Sequence, residues 1–287
     1  MKAKVLGIFF FLIFINLVIL GFKIIQLDRG VEKFVDPLAP AQSTKEIPKT
    51  NSALPKIAIV LDDVGVKTPL NNVLLAIPYK LNIAIIPGLN DSKTLLKEYL
   101  LRPNFEMLLH MPMDKVSHSD NQESREYAYT GKYPYIITTA QHKNQMIKTL
   151  DKAFSSVDGY GALKGINNHY GSSVTASANM MLVISKWAKS HGMYVLDSLS
   201  TPHSIAYEVA KKRKIKAIYN EIFLDNINSE EYILGQLSKA QRLAERNGHV
   251  VAIANANSEL TLKVLITEMP RIISENFEFV FVSELIE

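Results

Sequence analysis

The sequence predicts an α/β fold, a distorted (β/α)7-8 barrel of parallel strands preceded by an N-terminal transmembrane helix. Three observations lead to this prediction. From Lys56 onward, short β-branched runs alternate with segments of helical period. These short runs are almost continuously apolar, which is typical of parallel strands buried on both faces. Close to Met1 lies an apolar stretch long enough to cross a membrane.

The composition is that of an ordinary folded protein. Of the 287 residues, 47% are hydrophobic and 21% are charged, so a sizeable core can form. The net charge of +4 is mild for this length and no RNA- or DNA-reading motif appears, so we expect no nucleic-acid partner. Cysteine is absent, which excludes disulfides, thiolate metal ligands and cysteine nucleophiles.

Residues 1–25 form the predicted membrane anchor or signal segment. Lys2 and Lys4 precede an apolar run over residues 5–22. The A-x-A-like site at residues 39–41 lies too far beyond this run for normal signal cleavage, so we expect an uncleaved single-pass anchor in the cell membrane. Since basic residues precede the run, the rest of the chain is expected to face the periplasm or extracytoplasmic space.

The remaining chain divides into a tether and a barrel domain. Residues 26–55 contain four prolines and one glycine together with Ser, Thr and Lys and have no apolar period, which predicts a flexible tether. Residues 56–287 form the predicted barrel, with candidate strands at 56–61, 81–86, 105–109, 162–166, 193–196, 216–219, 249–254 and 278–282. Helix-start signals lie between them, such as the capping-box-like pair Asn228 and Glu231. This strand count favours a barrel, with an open doubly wound sheet as the alternative.

Polar residues follow these strands repeatedly, and in parallel α/β folds the ligand site lies at the carboxyl ends of the strands. The residues are Asp62, Asp63, His110, Asn167, Asn168, His169, Asp197, Asp225 and Asn255. Strand ends become polar where they leave a core, which explains aspartates and asparagines better than it explains two histidines. We expect the adjacent carboxylates of Asp62 and Asp63 to point in different directions, one toward a cation and the other handling a proton.

Asp63, His110 and His169 would together supply one carboxylate and two imidazoles. Such a set leaves coordination positions open for water and substrate, as a hydrolytic metal site requires. A redox iron site uses the same ligand types, so the ligands alone do not choose the reaction. Plain structural alternatives are a helix cap for the aspartate pair, a packed core position for His110 and an ordinary β-to-α turn for His169.

Five motifs in a fixed order carry a resemblance to a known family. They are IAIVLDDVG at 57–65, LLHMPM at 108–113, GINNHYGS at 165–172, LDS at 196–198 and FLDN at 223–226. Each motif is weak alone, but the ordered set is specific and covers residues 55–285. The chain resembles the divergent polysaccharide deacetylase family, relatives of the NodB-like carbohydrate deacetylases, whose fold is a distorted (β/α) barrel.

The resemblance implies a metal-dependent hydrolase that removes N-acetyl groups from an envelope polysaccharide or related glycan. The implied ligands of a divalent metal, Zn²⁺ above all, are Asp63, His110 and His169. A metal-bound water would attack the acetamide carbonyl, with Asp62 as the base that takes its proton. The implied substrate-binding residues are Asn168, Asp197 and Asp225.

One position departs from the family pattern. Where the family usually has a histidine that protonates the departing amine, residues 252–257 read AIANAN, with Asn255 in the histidine's place. Asparagine cannot act as an acid at neutral pH. Loss of general-acid help typically costs about 10²- to 10⁴-fold in rate.

The alternative hypothesis is therefore a degenerate, non-catalytic, membrane-tethered barrel that binds a glycan or another partner. The polar insertion at residues 112–135 fits this alternative, because its tyrosines, Tyr127, Tyr129, Tyr133 and Tyr135, could stack on sugar rings. A third hypothesis is a metal-dependent hydrolase of another amide or ester in a similar barrel. The sequence does not predict the oligomeric state.

Overall fold

The structure, a computed structural model, describes residues 53–114, 133–157 and 161–286. The predicted membrane segment and nearly all of the predicted tether lie outside the described residues. Within the described ranges, no helix combines the length and the apolar character needed to span a bilayer.

The described residues form a nine-stranded sheet in which every pairing is parallel. Its strands are β1 (Lys56–Val64), β2 (Leu81–Ile85), β3 (Phe105–Met113), β4 (Leu163–Tyr170), β5 (Tyr194–Asp197), β6 (Ala217–Tyr219), β7 (Ile222–Phe223), β8 (His249–Asn255) and β9 (Glu278–Phe279). The predicted parallel α/β fold is thus confirmed.

The strand order explains how the sheet curls. It runs β6-β5-β4-β3-β2-β1-β8-β7, with β9 beside the start of β1. The two strands at the ends of this order, β6 and β7, are successive parts of one segment, residues 217–223. The first part pairs with β5 and the second with β8, so this segment connects the two edges of the curled sheet. We call residues 217–223 the seam.

Helices cover the sheet between successive strands. They are α1 (Leu70–Leu75), α2 (Ser92–Tyr99), α3 (Lys143–Ser156), α4 (Ser172–Thr175), α5 (Ala178–Ser190), α6 (Ala206–Lys212), α7 (Glu230–Asn247) and α8 (Glu259–Ser274). A 3-10 helix follows at Val282–Leu285. The hydroxyl of Ser229, which caps α7, accepts a hydrogen bond from the backbone N–H of Tyr232 at 3.2 Å. The predicted capping pair of Asn228 and Glu231 was therefore one residue too early.

Both faces of the strands are buried, which accounts for their continuous apolar character. In β1, Ile57 and Ile59 pack into the layer between sheet and helices, whereas Ala58 and Val60 belong to a second cluster inside the curl. Adjacent residues of a strand face opposite sides of the sheet, so an apolar residue is needed at every position.

The C-terminal segment fills the amino end of the curled sheet. Val282 belongs to the inner cluster, and its backbone N–H donates to Asn82 Oδ1 at 2.8 Å. The buried carboxylate of Glu106 accepts hydrogen bonds from the hydroxyl of Tyr194 at 2.8 Å and from the backbone N–H of Ser283 at 3.1 Å. The carboxyl ends of the strands therefore remain as the open end of the barrel.

The polar insertion after β3 is shorter than the sequence suggested. Pro112 and Met113 still belong to β3, and the backbone N–H of Ile137 donates to Pro112 O at 2.9 Å. The segment after the insertion is thus fixed beside the end of β3. Tyr127 and Tyr129 lie outside the described residues.

Candidate metal centre and active site

Three residues at the carboxyl ends of strands have left-handed backbone conformations without being glycine. They are Asp63 in β1 (φ 62°), Tyr170 at the end of β4 (φ 57°) and Leu199 just after β5 (φ 48°). Such conformations cost of order 1–3 kcal/mol each and cluster at functional sites. The open end of the barrel therefore carries the local backbone strain that is common around active sites.

The strained conformation of Asp63 determines where two carboxylates point. Neighbouring residues of a regular strand face opposite sides. Here the register of β1 shifts between Leu61 and Val64. As a result, Asp62 Oδ2 and Asp63 Oδ1 lie 3.6 and 3.3 Å from the same atom, Nε2 of His110. The expectation that the two carboxylates diverge was wrong.

Asp63, His110 and His169, from β1, β3 and β4, form a compact triad. Nδ1 of His169 lies 2.8 Å from Asp63 Oδ1 and 3.2 Å from His110 Nε2. These three atoms could together hold a metal ion. Asp63 Oδ1 is buried and has no partner in hydrogen-bond geometry among the described residues, as expected of an atom that faces a cation.

Each member of the triad has a hydrogen-bond partner on its outer side, which we call its outer partner. These are Asn167 Oδ1 for His110 Nδ1 (3.0 Å), Tyr133 Oη for His169 Nε2 (2.9 Å) and Asn255 Nδ2 for Asp63 Oδ2 (2.8 Å). Because an amide oxygen only accepts, His110 donates from Nδ1 to Asn167, and Nε2 is the ring nitrogen that faces the other two members of the triad. Outer partners of this kind orient metal ligands and fix histidine tautomers.

The triad fits a divalent metal ion. One carboxylate oxygen and two imidazole nitrogens converge, and three protein ligands leave a position open, as in catalytic zinc sites. The same donors also suit other transition metals. The plain structural alternatives for the two histidines do not explain why three ligand atoms face one another.

The surroundings of Asp62 and Asp63 shift the pKa values of the two carboxyl groups in opposite directions. Burial raises the pKa of Asp62 to about 7, with further contributions from the charges of Asp63 and Asp225 and an opposing one from His110. Burial would also raise the pKa of Asp63, but the nitrogens of His110 and His169 hold it well below its usual range. Burial would lower the pKa of His110, but Asp63 and Asp62 raise it. Opposite shifts in a carboxyl pair are typical of an acid–base site.

A cavity of about 320 Å³, which we call the site cavity, opens beside the triad. Seven predicted site residues line it: Asp62, Asp63, His110, Asn168, His169, Asp225 and Asn255. Seven of the nine residues that the strand-end pattern singled out thus lie around one cavity, and Asn167 and Asp197 do not line it. Phe223 and Ile253 add an apolar wall.

Asp197 does not line the site cavity, so its predicted role in substrate binding needs correction. Its side chain is fully buried, and its oxygens accept hydrogen bonds from Ser204 Oγ at 2.9 and 2.7 Å. They also accept from the backbone N–H groups of Leu199 at 3.0 Å and Tyr207 at 3.2 Å. The carboxylate therefore holds the loop after β5 in place.

Asn168 and Asp225 line the site cavity but are also bound to their surroundings. Asn168 Nδ2 donates to Tyr170 O at 2.6 Å and to Ser200 Oγ at 3.1 Å. Asp225 Oδ2 accepts from the backbone N–H of Asn255 at 2.9 Å and from Thr261 Oγ1 at 2.8 Å. Both side chains therefore shape the wall of the cavity.

Sequence reasoning missed two contacts of the triad. Tyr133 was considered only as a sugar-stacking residue of the insertion, yet its hydroxyl binds His169. Asn257 donates from Nδ2 to Asp63 O at 2.9 Å. The two-residue spacing of Asn255 and Asn257 could have suggested that both face the same side; nothing in the sequence singles out Tyr133.

Comparison with known proteins finds one matching family and two similar bacterial proteins. The profile of the divergent polysaccharide deacetylase family matches residues 59–286. The uncharacterized protein YibQ of Escherichia coli K12 is 28% identical over 210 residues, covering 73% of this chain and 61% of that protein. A Haemophilus influenzae protein is 26% identical over 200 residues, covering 70% and 66%. The chain thus spans slightly less than two thirds of each of these relatives.

Solved structures share the fold. An uncharacterized protein from Agrobacterium tumefaciens C58 superimposes with a TM-score of 0.70 at 18% identity, covering 88% of this chain and 94% of that one. A putative cellobiose-phosphate cleavage protein from Enterococcus faecalis V583 gives a TM-score of 0.57 at 12% identity, covering 82% and 100%. At these identities the likeness establishes the architecture alone.

Proposed function

The chain belongs to the divergent polysaccharide deacetylase family, and from that premise we propose that it is a metal-dependent hydrolase that removes N-acetyl groups from an envelope polysaccharide or related glycan. The observation that carries the proposal is the inward-facing triad, in which every member has an outer partner. The adjoining site cavity supports it, because a metal site of purely structural function is closed by protein ligands.

Asp63 Oδ1, His110 Nε2 and His169 Nδ1 would hold the ion, and among divalent metals we propose Zn²⁺. When bound, such an ion polarises a carbonyl and lowers the pKa of water. Asp62 lies on the wall of the same cavity, 3.6 Å from His110 Nε2, where it can take the proton of an attacking water. Its pKa, raised to about 7 by burial, suits a general base.

The departing amine needs a proton, and Asn255 cannot supply one. We propose that Asp62 serves both steps. It takes a proton from the water that attacks the acetamide carbon, and it passes that proton to the amine nitrogen as the C–N bond breaks. The products are a free amine and acetic acid, which releases its own proton to solvent and leaves as acetate.

Metal analysis of the full-length chain tests this function first. We expect about one divalent ion per chain and release of acetate from N-acetylglucosamine oligomers. Asp63→Ala and His169→Ala should lose both properties, whereas His203→Ala, at an exposed loop histidine, should keep them. A wild-type chain that takes up no divalent ion, with both variants indistinguishable from it, would end the proposal.

A second candidate function is a non-catalytic, glycan-binding barrel, and Asn255 is the observation that favours it. The variant Asn255→His separates the two candidates. Deacetylase activity that appears only in the variant would identify a decayed enzyme. Activity in the parent chain would exclude a purely binding role.

For the cellular location, we propose a single-pass anchor at residues 5–22 and a domain on the periplasmic or extracytoplasmic side. The apolar run and the lysines before it support this proposal. A reporter that is active only in the cytoplasm, fused after Glu287, tests the proposed orientation. Strong cytoplasmic activity of that fusion would contradict the proposed orientation.

A further inference from the structure

The amino end of the barrel carries a run of positive charge, residues 211–216, which read KKRKIK and which we call the basic run. It joins the last turn of α6 to the start of β6. Ile215 is buried, whereas the five cationic residues are exposed. Lys211 Nζ lies 5.9 Å from the ring centroid of Tyr207, and the other four side chains form no hydrogen bond or ion pair within the described ranges. This charge is therefore available to an anionic partner.

The two ends of the barrel differ in charge. In the described connections that lead from a helix into a strand, cations outnumber acids: Lys80, Arg102, Arg213, Lys214 and Lys216 against Glu275. In the described connections that lead from a strand to a helix, acids outnumber cations: Asp91, Asp114 and Asp225 against Lys67. The excess at the amino end remains without Lys80, which pairs with Glu284 at 2.7 Å. An anionic surface would therefore attract the amino end and repel the carboxyl end.

Exposed leucines lie at the same end as the basic run. Leu101, in the connection from α2 to β3, is the most exposed large apolar side chain of the described residues, at 82%. Leu100 beside it and Leu54, just before β1, are exposed as well. Leucines among cations are typical of surfaces that bind membranes, because apolar side chains enter the interface while cations meet anionic headgroups.

Two tyrosines beside the basic run add to this character. The ring centroids of Tyr207 and Tyr219 lie 5.0 Å apart, and both residues line a cavity of about 450 Å³ together with Lys211. Glu221 is the acid in this lining, and its Oε2 accepts a hydrogen bond from the backbone N–H of Val251 at 2.7 Å. Tyrosine is enriched where a membrane meets water, since its ring is apolar and its hydroxyl is polar. The cavity thus offers space for a lipid headgroup next to the cations.

We propose that the amino end of the barrel docks on an anionic phospholipid bilayer, with the basic run against the headgroups and Leu101 in the interface. Charged and apolar residues spread over one whole end of the barrel suit a flat surface better than a single acidic segment of another protein. The candidate metal site lies at the far end of the nine-residue strand β1, so it would face away from the bilayer. A tilted strand of that length holds it roughly 25 Å above the surface. This inference goes beyond the proposed hydrolase and does not depend on it.

Fluorescence quenching at the two ends of the barrel tests the docking. The chain has no cysteine, so Ala76→Cys and Ala176→Cys each give a single site for a fluorophore. Both alanines are exposed C-caps of short helices, Ala76 after α1 at the amino end and Ala176 after α4 at the carboxyl end. The labelled full-length chain is reconstituted with phosphatidylcholine vesicles that carry a nitroxide quencher on their headgroups, with or without phosphatidylglycerol. We expect quenching of the label on Ala76→Cys with phosphatidylglycerol alone, and no quenching of the label on Ala176→Cys in either case.

Removing charge from the basic run should abolish the quenching. Each lysine beside an anionic bilayer strengthens binding by about fivefold, so Lys212→Gln, Lys214→Gln and Lys216→Gln together should lower the docking constant by about 100-fold. The matched control removes three exposed lysines of α3 and should keep the quenching: Lys143→Gln, Lys148→Gln and Lys152→Gln.

The apolar contact is tested by Leu101→Ser, which should weaken docking by about tenfold. Ile227→Ser, at an exposed position of the carboxyl end, should leave docking unchanged. Equal quenching of the two labels, quenching without phosphatidylglycerol, or quenching that survives in the basic-run variant overturns the proposal. Binding of soluble heparin, with the label on Ala76→Cys unquenched by phosphatidylglycerol vesicles, also overturns it and assigns the basic run to a polyanionic polymer. Metal uptake and acetate release by the same variants test the hydrolase separately.

Discussion

At the scale of single residues, Asn255 has a positioning role where the family resemblance led us to expect a general-acid histidine. Its amide cannot replace an acid, but it donates from Nδ2 to Asp63 Oδ2 at 2.8 Å and accepts at Oδ1 from the backbone N–H of Asn257 at 2.8 Å. The side chain is thus fixed between the end of β8 and the carboxylate of a metal ligand. This arrangement turns Asp63 Oδ1 toward the two histidines.

Replacing Asn255 by alanine should therefore weaken metal binding. Without the amide, the carboxylate of Asp63 can rotate, and loss of an outer partner typically lowers metal affinity by about 10- to 100-fold. Competition with a chromophoric chelator measures this affinity. Asn90→Ala, in an exposed loop, is the control. Unchanged affinity in Asn255→Ala would show that the hydrogen bond does not position Asp63.

Tyr133 allows a cleaner test, because Tyr133→Phe removes only the hydroxyl that contacts His169 Nε2 at 2.9 Å. We expect metal affinity to fall by about tenfold, since the imidazole loses the partner that fixes its orientation and tautomer. Tyr135→Phe, two residues away, should leave the affinity unchanged. If the two variants behave alike in the chelator competition, Tyr133 has no role in holding His169.

The limits of sequence reasoning are also clear at this scale. The proximity of Asp63, His110 and His169 was predictable, because each lies near the carboxyl end of an apolar strand. The φ of 62° at Asp63 was not, since no sequence pattern distinguishes an aspartate in that conformation. Asp197 was misassigned for a similar reason, because a buried carboxylate that binds a loop looks the same in sequence as one that lines a pocket.

Secondary-structure elements were predicted best where they are long. The two-residue strand β7 was missed, because two residues carry no period. The predicted last strand, 278–282, is confirmed only as β9 at Glu278–Phe279. The backbone N–H of Val280 still donates to Ile57 O of β1 at 3.0 Å, but the chain then turns into the 3-10 helix, with Val280 and Val282 buried inside the curled sheet and Phe281 half-buried. Apolar character alone does not show where the strand ends.

The start of α7 offers a test at the scale of elements. Ser229 accepts from the N–H of Tyr232, so Ser229→Ala should lower the free energy of unfolding by about 1 kcal/mol. Asn228→Ala, the position that the sequence favoured as the cap, should change it by less than about 0.5 kcal/mol. Urea denaturation measures both. A larger loss in Asn228→Ala than in Ser229→Ala would reassign the cap.

At the scale of the whole molecule, the barrel separates the end that carries the candidate metal site from the end that the C-terminal segment fills. The triad lies at the carboxyl ends of the strands, whereas the buried side chains of Glu106 and Tyr194 form a polar cluster with Ser283 at the amino end. The parallel fold and the position of the site could be predicted, since they depend on repeated patterns. The seam and the cluster at the amino end could not, since they depend on contacts between distant segments.

The cluster at the amino end predicts how stability depends on pH. Burial, reinforced by the charge of Glu106, raises the pKa of Tyr194 well above its ordinary value. Above the ordinary tyrosine pKa of about 10, the unfolded chain loses this proton while the folded chain keeps it, so the free energy of unfolding falls as the pH rises.

Urea unfolding at about pH 9 and about pH 11 measures this fall, and Tyr194→Phe should reduce it. Tyr219→Phe, at a position 39% exposed, should retain the wild-type dependence. If wild type and Tyr194→Phe lose the same free energy of unfolding between these two pH values, Tyr194 is not the cause of the pH dependence, whatever the absolute stability of the variant.

The hydrogen bond between Asn255 and Asp63 joins residues 192 positions apart in the chain. During biosynthesis, a growing polypeptide that has produced all three ligands still lacks this contact until β8 has been made. Under the proposed metal-dependent function, full affinity for the ion is therefore a late step of maturation, reached after the strands on both sides of β1 have assembled. On the same proposal, an incomplete chain would release a captured ion more readily than the finished protein does.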